Sequence, residues 1–135
     1  MKRLMIGAAG ASVLLGSAIA GQVSPFPVDV DLTTNNANGD MVTARYSKND
    51  TEFIGCGIRK FDDGAGGATA FGFCQAEDAD GERGFCNTAN EDLLDAISSS
   101  AAFSFVTFSW DTDGNCTRIG FSNQSFYLPK GLKSN

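Results

Sequence analysis

The chain has 135 residues, with ten Lys or Arg against sixteen Asp or Glu and no histidine. An acidic surface with scattered basic residues argues against a phosphate backbone or an anionic lipid as partner, because the dominant field repels both. The lack of histidine excludes Ser-His-Asp and Cys-His catalysis, imidazole metal sites and the usual pH switch near neutrality.

Residues 1–20 read as a cleavable signal peptide. Lys2 and Arg3 form a positive start, 4–17 a weakly apolar Ala/Gly/Leu run, and Ala18-Ile19-Ala20 a small-x-small cleavage pattern. The short basic start and Ala/Gly-rich centre have a bacterial character, so the expected product is secreted or periplasmic. Cleavage removes two positive charges, leaving eight basic against sixteen acidic residues and a net charge of −8. The remainder reads as a single disulfide-stabilised β-rich domain over 21–128, followed by a flexible tail, 129–135. No apolar stretch after residue 20 reaches the ~20 residues of a membrane-spanning helix, so no span is expected after cleavage.

In chain order, Val28, Val30 and Leu32 alternate with Asp29 and Asp31, the period of a half-buried strand. The polar run Thr33 to Asp40 predicts a loop, Met41 to Ser47 a second strand, and Thr51 to Lys60 a third. A turn at 62–67 leads into a strand from Ala68 to Ala76, with Phe71 and Phe73 on one face and Gly72 and Cys74 on the other. Asp78 to Gly81 turns the chain into a strand from Arg83 to Thr88.

The period then changes. Thr88-x-x-Glu91 predicts a capping box, with Asn90 as the alternative cap, and Leu93, Leu94 and Ile97 form one apolar stripe of a helix over about 89–99. The charge-free, Phe-dense segment Ala101 to Trp110 predicts a central strand buried on both faces. Asp111 to Gly114 returns it into Cys116 to Phe121, with Phe126 to Leu128 as an extension of the sheet. The fold class is α+β, a mainly antiparallel sheet of six or seven short strands with one helix; the alternative is a β-sandwich.

Four cysteines allow three pairings. Register brings Cys74 close to both Cys56 and Cys86. The reading favours Cys74–Cys86 with Cys56–Cys116 over Cys56–Cys74 with Cys86–Cys116. The spacings fit no common zinc site, and no Cys-x-x-Cys pair is present.

Two acidic turns offer oxygen ligands: Asp78, Asp80 and Glu82 at one, and Asp111, Asp113 and Asn115 at the other, with Trp110 beside the second. Both are candidate ligand or calcium loops, yet neither completes an EF-hand. Position 6, where that loop needs glycine, is Cys116 counting from Asp111 and Arg83 counting from Asp78. No cofactor or metal is expected apart from this weak calcium signal, and no catalytic residue is assigned. Neither Lys48 nor Lys60 lies in a Ser-x-x-Lys motif.

The remaining aromatics, Phe53, Phe71, Phe73, Phe85, Phe103, Phe105, Phe108 and Phe121, are expected chiefly in the core. The leading expectation for function is an exported, non-enzymatic binding or structural module with a protein or glycan partner. The alternatives are a small carboxylate-dependent hydrolase using Asp111 or Asp113, and a subunit of an extracellular assembly formed through an unpaired 26–32 segment.

Overall fold

The computed structural model describes residues 21–129; the expected signal peptide and all of the tail but Pro129 lie outside them. The class is α+β, with seven antiparallel strands and one main helix. The strands divide between two sheets. One has the order β1-β2-β6-β7, from Asp29–Asp31, Asn36–Asp40, Phe105–Trp110 and Cys116–Ser122. The other is a meander, β3-β4-β5, from Phe53–Asp62, Ala68–Glu77 and Arg83–Thr88.

Alternation decides what each sheet buries. Val30, Ala37, Val106, Phe108 and Ile119 line the inner face of the first sheet, and Ile54, Cys74, Ala76 and Cys86 that of the second; all are buried in one core. The layered packing named by the sandwich alternative is therefore present, with a helix added. Phe108, which is fully buried, is among the largest side chains in this core. Helix α2, Glu91–Ser98, packs against both sheets, on β7 of the first and on β3 and β4 of the second, and Gly72 makes the contact with β4 feasible. A Cβ on Gly72 would stand 2.6 Å from Ile97 and 2.9 Å from Leu94.

Several local expectations are corrected. The segment read as a polar loop contains β2, and the segment read as a second strand begins with a short helix, α1, Met41–Arg45. Asp40 accounts for the switch: its carboxylate accepts from Thr43 N at 2.7 Å and caps α1, and accepts from Phe26 N at 2.7 Å. β2 (NANGD) has weak strand propensity, but small residues are what its central position needs. A Cβ on Gly39 would lie 2.9 Å from the backbone of Val28.

Helix α2 is shorter than expected and is capped by Asn90, whose Oδ1 accepts from Leu93 N, while Thr88 Oγ1 accepts from Asn90 N. The central strand β6 is buried on one face, through Val106 and Phe108, with Phe105, Thr107 and Ser109 half-buried on the other. Ser125–Tyr127 form a 3-10 turn in place of a strand extension. The Tyr127 ring stacks on Phe105 at 5.6 Å.

The disulfides are Cys56–Cys74 and Cys86–Cys116, the second of the two pairings weighed from register. Cys74 stands directly opposite both Cys56 and Cys86, so the ladder alone does not choose between them. The β6–β7 hairpin chooses. Asn87 N donates to Gly114 O at 3.0 Å, which brings Cys116 to Cys86 and leaves Cys56 to Cys74.

Candidate ligand-binding face

The acidic turns have a structural use that accounts for their spacing. In Asp63-x-x-Gly66, Asp78-x-x-Gly81 and Asp111-x-x-Gly114 the glycine adopts a positive φ of 88°, 84° and 80°. In each, one carboxylate oxygen of the leading aspartate accepts from the N–H groups two and four residues on, at 2.8–3.0 Å. The β1–β2 turn is a variant, with Asp31 accepting from Thr33 N and Thr34 N and Asn35 at φ 51°. Each hairpin of the two sheets is thus closed by an aspartate.

At Asp111, Asp63 and Asp31 these bonds stabilise the charged carboxylate and hold its pKa below the ordinary range. For Asp111 the side chain of Asn115 is the main cause; for Asp63 it is the N–H of Ala65, and for Asp31 the hydroxyl of Thr34. The displacement is opposite in sign to that of a general acid.

The sequence-derived site residues do not assemble into one site. Asp78 Oδ1 and both oxygens of Asp111 are directed into their own loops, while Asp80, Glu82 and Asp113 project outward from the turns. Among the described residues, the one group of three or more Cys, Asp or Glu close enough to share an ion is Cys74, Cys86 and Cys116, which the disulfides occupy. Trp110 does not join the acidic turn in facing a ligand. Its indole packs into the core, 5.6 Å from the Phe108 ring and across Gly84, where a Cβ would lie 2.7 Å from the indole edge. Lys60 shares a groove with Ser98 and Ser100, but no hydrogen bond links them.

The aromatics assigned to the core divide instead. Phe108 is buried, whereas Phe85 is 54% exposed and Phe53 and Phe71 39% each; Phe61, which carried no core expectation, is 55% exposed. Those four, together with Phe73, stand on the outer face of the meander, because alternation sends Ile54, Cys74 and Cys86 inward and their neighbours outward. Phe61 stacks on Phe71 at 6.0 Å with the rings 13° apart, and Phe71 lies 6.3 Å from Phe73.

Gly57 makes room for this layer. Directly opposite Phe73, it leaves space for that ring, since a Cβ would fall 2.9 Å from the ring edge. Arg59 sets its guanidinium 5.0 Å from the Phe73 centroid, a cation–π contact. Gln75 lies directly opposite Phe85 on this face. At its end Arg83 pairs with Glu77 at 2.8 Å.

Two arginines and one glutamate make this face slightly positive in an otherwise acidic protein. At the Phe53 end it continues into a groove of about 720 Å³ whose lining includes Arg45, Asp50, Glu52, Tyr46, Phe53 and Phe103, so the positive character does not extend into it; Tyr46 is 74% exposed. Phe103 reaches the groove from a left-handed backbone, φ 64°, a conformation costly for a bulky residue and concentrated at functional sites.

Comparison with known proteins adds nothing to this geometry. No family model, curated protein or solved structure matches the chain. The role of this face rests on its own chemistry. Sequence reasoning placed Phe71 and Phe73 on one side of their strand correctly but sent that side inward. The overlooked signal was the set of residues sharing it, Gly57, Arg59, Gln75 and Arg83, which are polar or lack a side chain. Two disulfides fit an oxidising compartment. Among the described residues no helix is long and apolar enough to cross a membrane.

Proposed function

We propose that this protein is an exported, non-enzymatic binding module whose outer β3–β4–β5 face takes an extended, neutral or weakly acidic polysaccharide. The observation that carries this reading is the layer of five phenylalanines on one sheet face, four of them exposed and Phe73 half-buried, interleaved with Arg59, Gln75 and Arg83. Ring faces suit the C–H faces of sugars, and the guanidinium and amide groups suit their hydroxyls.

Size argues for a linear ligand over a protein. The ten-residue strands β3 and β4, about 33 Å long, and the six-residue β5, set about 4.8 Å apart, give a face of roughly 400 Å², whereas a standard protein interface takes about 800 Å² from each partner. The slight positive charge admits an acidic sugar, whereas the protein as a whole repels polyanions. Export is part of the proposal and rests on the Lys2-Arg3 to Ala20 segment together with the disulfides. The assembly alternative relied on a free 26–32 segment, and here Asp29–Asp31 is paired with Asn36–Asn38 of the same chain.

Co-sedimentation of the oxidised protein with insoluble glucan, chitin and peptidoglycan tests the proposal, with a Phe71→Ser/Phe85→Ser variant as control. Both residues are exposed, so the variant should keep its unfolding midpoint while retention on at least one polymer falls about tenfold, equivalent to about 1.4 kcal/mol. Retention unaffected by the double substitution, or no retention on any polymer, would refute the assignment.

A further inference from the structure

The sulfurs of Cys74, Cys86 and Cys116 all lie within 4.8 Å of one another, although the bond in this group joins Cys86 to Cys116. The ladder is the cause, since Cys74 has a cysteine directly opposite it on both sides, and all three of these strand cysteines share the inner-face parity. Directly opposed residues stand about 4.5–5.5 Å apart between Cα atoms, and a disulfide spans about 4.4–6.8 Å. Cys86 is therefore a second bonding partner for Cys74 that requires no change of register.

Access to the two bridges differs. Cys74 and Cys86 are fully buried, whereas Cys56 is partly exposed and lines a surface groove of about 520 Å³ shared with Lys60. A thiolate entering the groove meets Cys56 first.

We infer that Cys56–Cys74 is a thiol-exchange site that relays reduction to the buried Cys86–Cys116 bridge and so unties the two sheets. A small-molecule thiolate attacks Cys56 Sγ, forming a mixed disulfide there and expelling Cys74 as a thiolate. Cys74 then attacks Cys86 Sγ; the Cys74–Cys86 bond forms, the Cys86–Cys116 bond breaks, and Cys116 leaves as a thiolate that takes a proton from water. A second thiol clears the mixed disulfide from Cys56. In total two thiols are oxidised to one disulfide, and the protein gains two hydrogens, on Cys56 and Cys116. The bridge that remains lies within the meander, and the covalent tie between the sheets is lost.

The test is reduction of the oxidised full chain with limiting glutathione, followed by acid quench, alkylation and peptide mapping. The expected first product is a two-thiol species labelled at Cys56 and Cys116 and holding Cys74–Cys86. A two-thiol species labelled at Cys56 and Cys74, or direct passage to four thiols, would overturn the inference. Cys56→Ser gives a second readout, because it leaves Cys74 as a thiol beside an intact Cys86–Cys116 bridge. Label on Cys116 should reach at least one-tenth of that on Cys74, and label confined to Cys74 would count against the relay. If that variant does not fold by circular dichroism, the wild-type time course decides alone.

Discussion

Replacing Asp40 by alanine should destabilise the protein by about 2–4 kcal/mol, because one buried carboxylate serves two backbone donors. Asp40 is 1% exposed. One of its oxygens caps α1 at Thr43 N and the other holds Phe26 N, each at 2.7 Å. Loss of an N-cap costs about 1 kcal/mol. Leaving the second, part-buried N–H without an acceptor adds roughly 1–3 kcal/mol. Asp40→Asn keeps one acceptor oxygen and turns an amide donor toward the other N–H, so its loss should be smaller but still measurable. Equilibrium unfolding of the oxidised protein in urea is the assay. With a slope of about 1–3 kcal/mol per molar, the alanine variant should lower the midpoint by roughly 0.7–4 M without changing the slope. A loss below 1 kcal/mol for Asp40→Ala would refute the claim that this carboxylate fastens the N-terminal lead-in to α1.

Gly84→Val should cost about 1–3 kcal/mol and shift Trp110 fluorescence to the red, since the new side chain displaces an indole that sits 2.7 Å from the Cβ position; unchanged emission would show that the ring does not rest there. Acid should weaken the fold through the hairpin aspartates. The folded-state pKa values of Asp31, Asp63 and Asp111 are depressed, so their contribution is complete above the unfolded value of about 3.9 and is lost as pH falls through the lower folded values. Thermal midpoints from pH 7 to pH 2 should drop in that acid window, and a triple Asp→Asn variant should flatten the drop; an equal drop in the variant would place the acid sensitivity elsewhere.

Much of the local structure was legible because it is decided within a few residues. The limits of β5, the apolar stripe of α2 and the division of β4 into a face with Phe71 and Phe73 and a face with Gly72 and Cys74 all follow from side-chain period, although which of those faces turns inward does not. The hairpin turns were legible as turns, and the recurring Asp-x-x-Gly of three of them also held the reason, since aspartate supplies an acceptor for two N–H groups and glycine supplies the positive φ. That reason went unread while the acids were considered as ligands. β2 and α1 were not legible: a weak strand former became a strand between β1 and β6, and Asp40, which caps α1 at Thr43 N, also holds Phe26 N of the distant lead-in.

The sequence by itself determined the strand periods, the turns, the capacity for two disulfides and an acidic chain without histidine, because each depends on residue type and near neighbours. Tertiary structure decided which side of the β3–β4–β5 meander is covered. Once the first sheet and α2 take the face that carries the cysteines, the phenylalanine face is left in water. It also decided between two equally adjacent partners for Cys74, because Cys116 arrives at Cys86 from the other sheet, and no spacing along the chain encodes that approach.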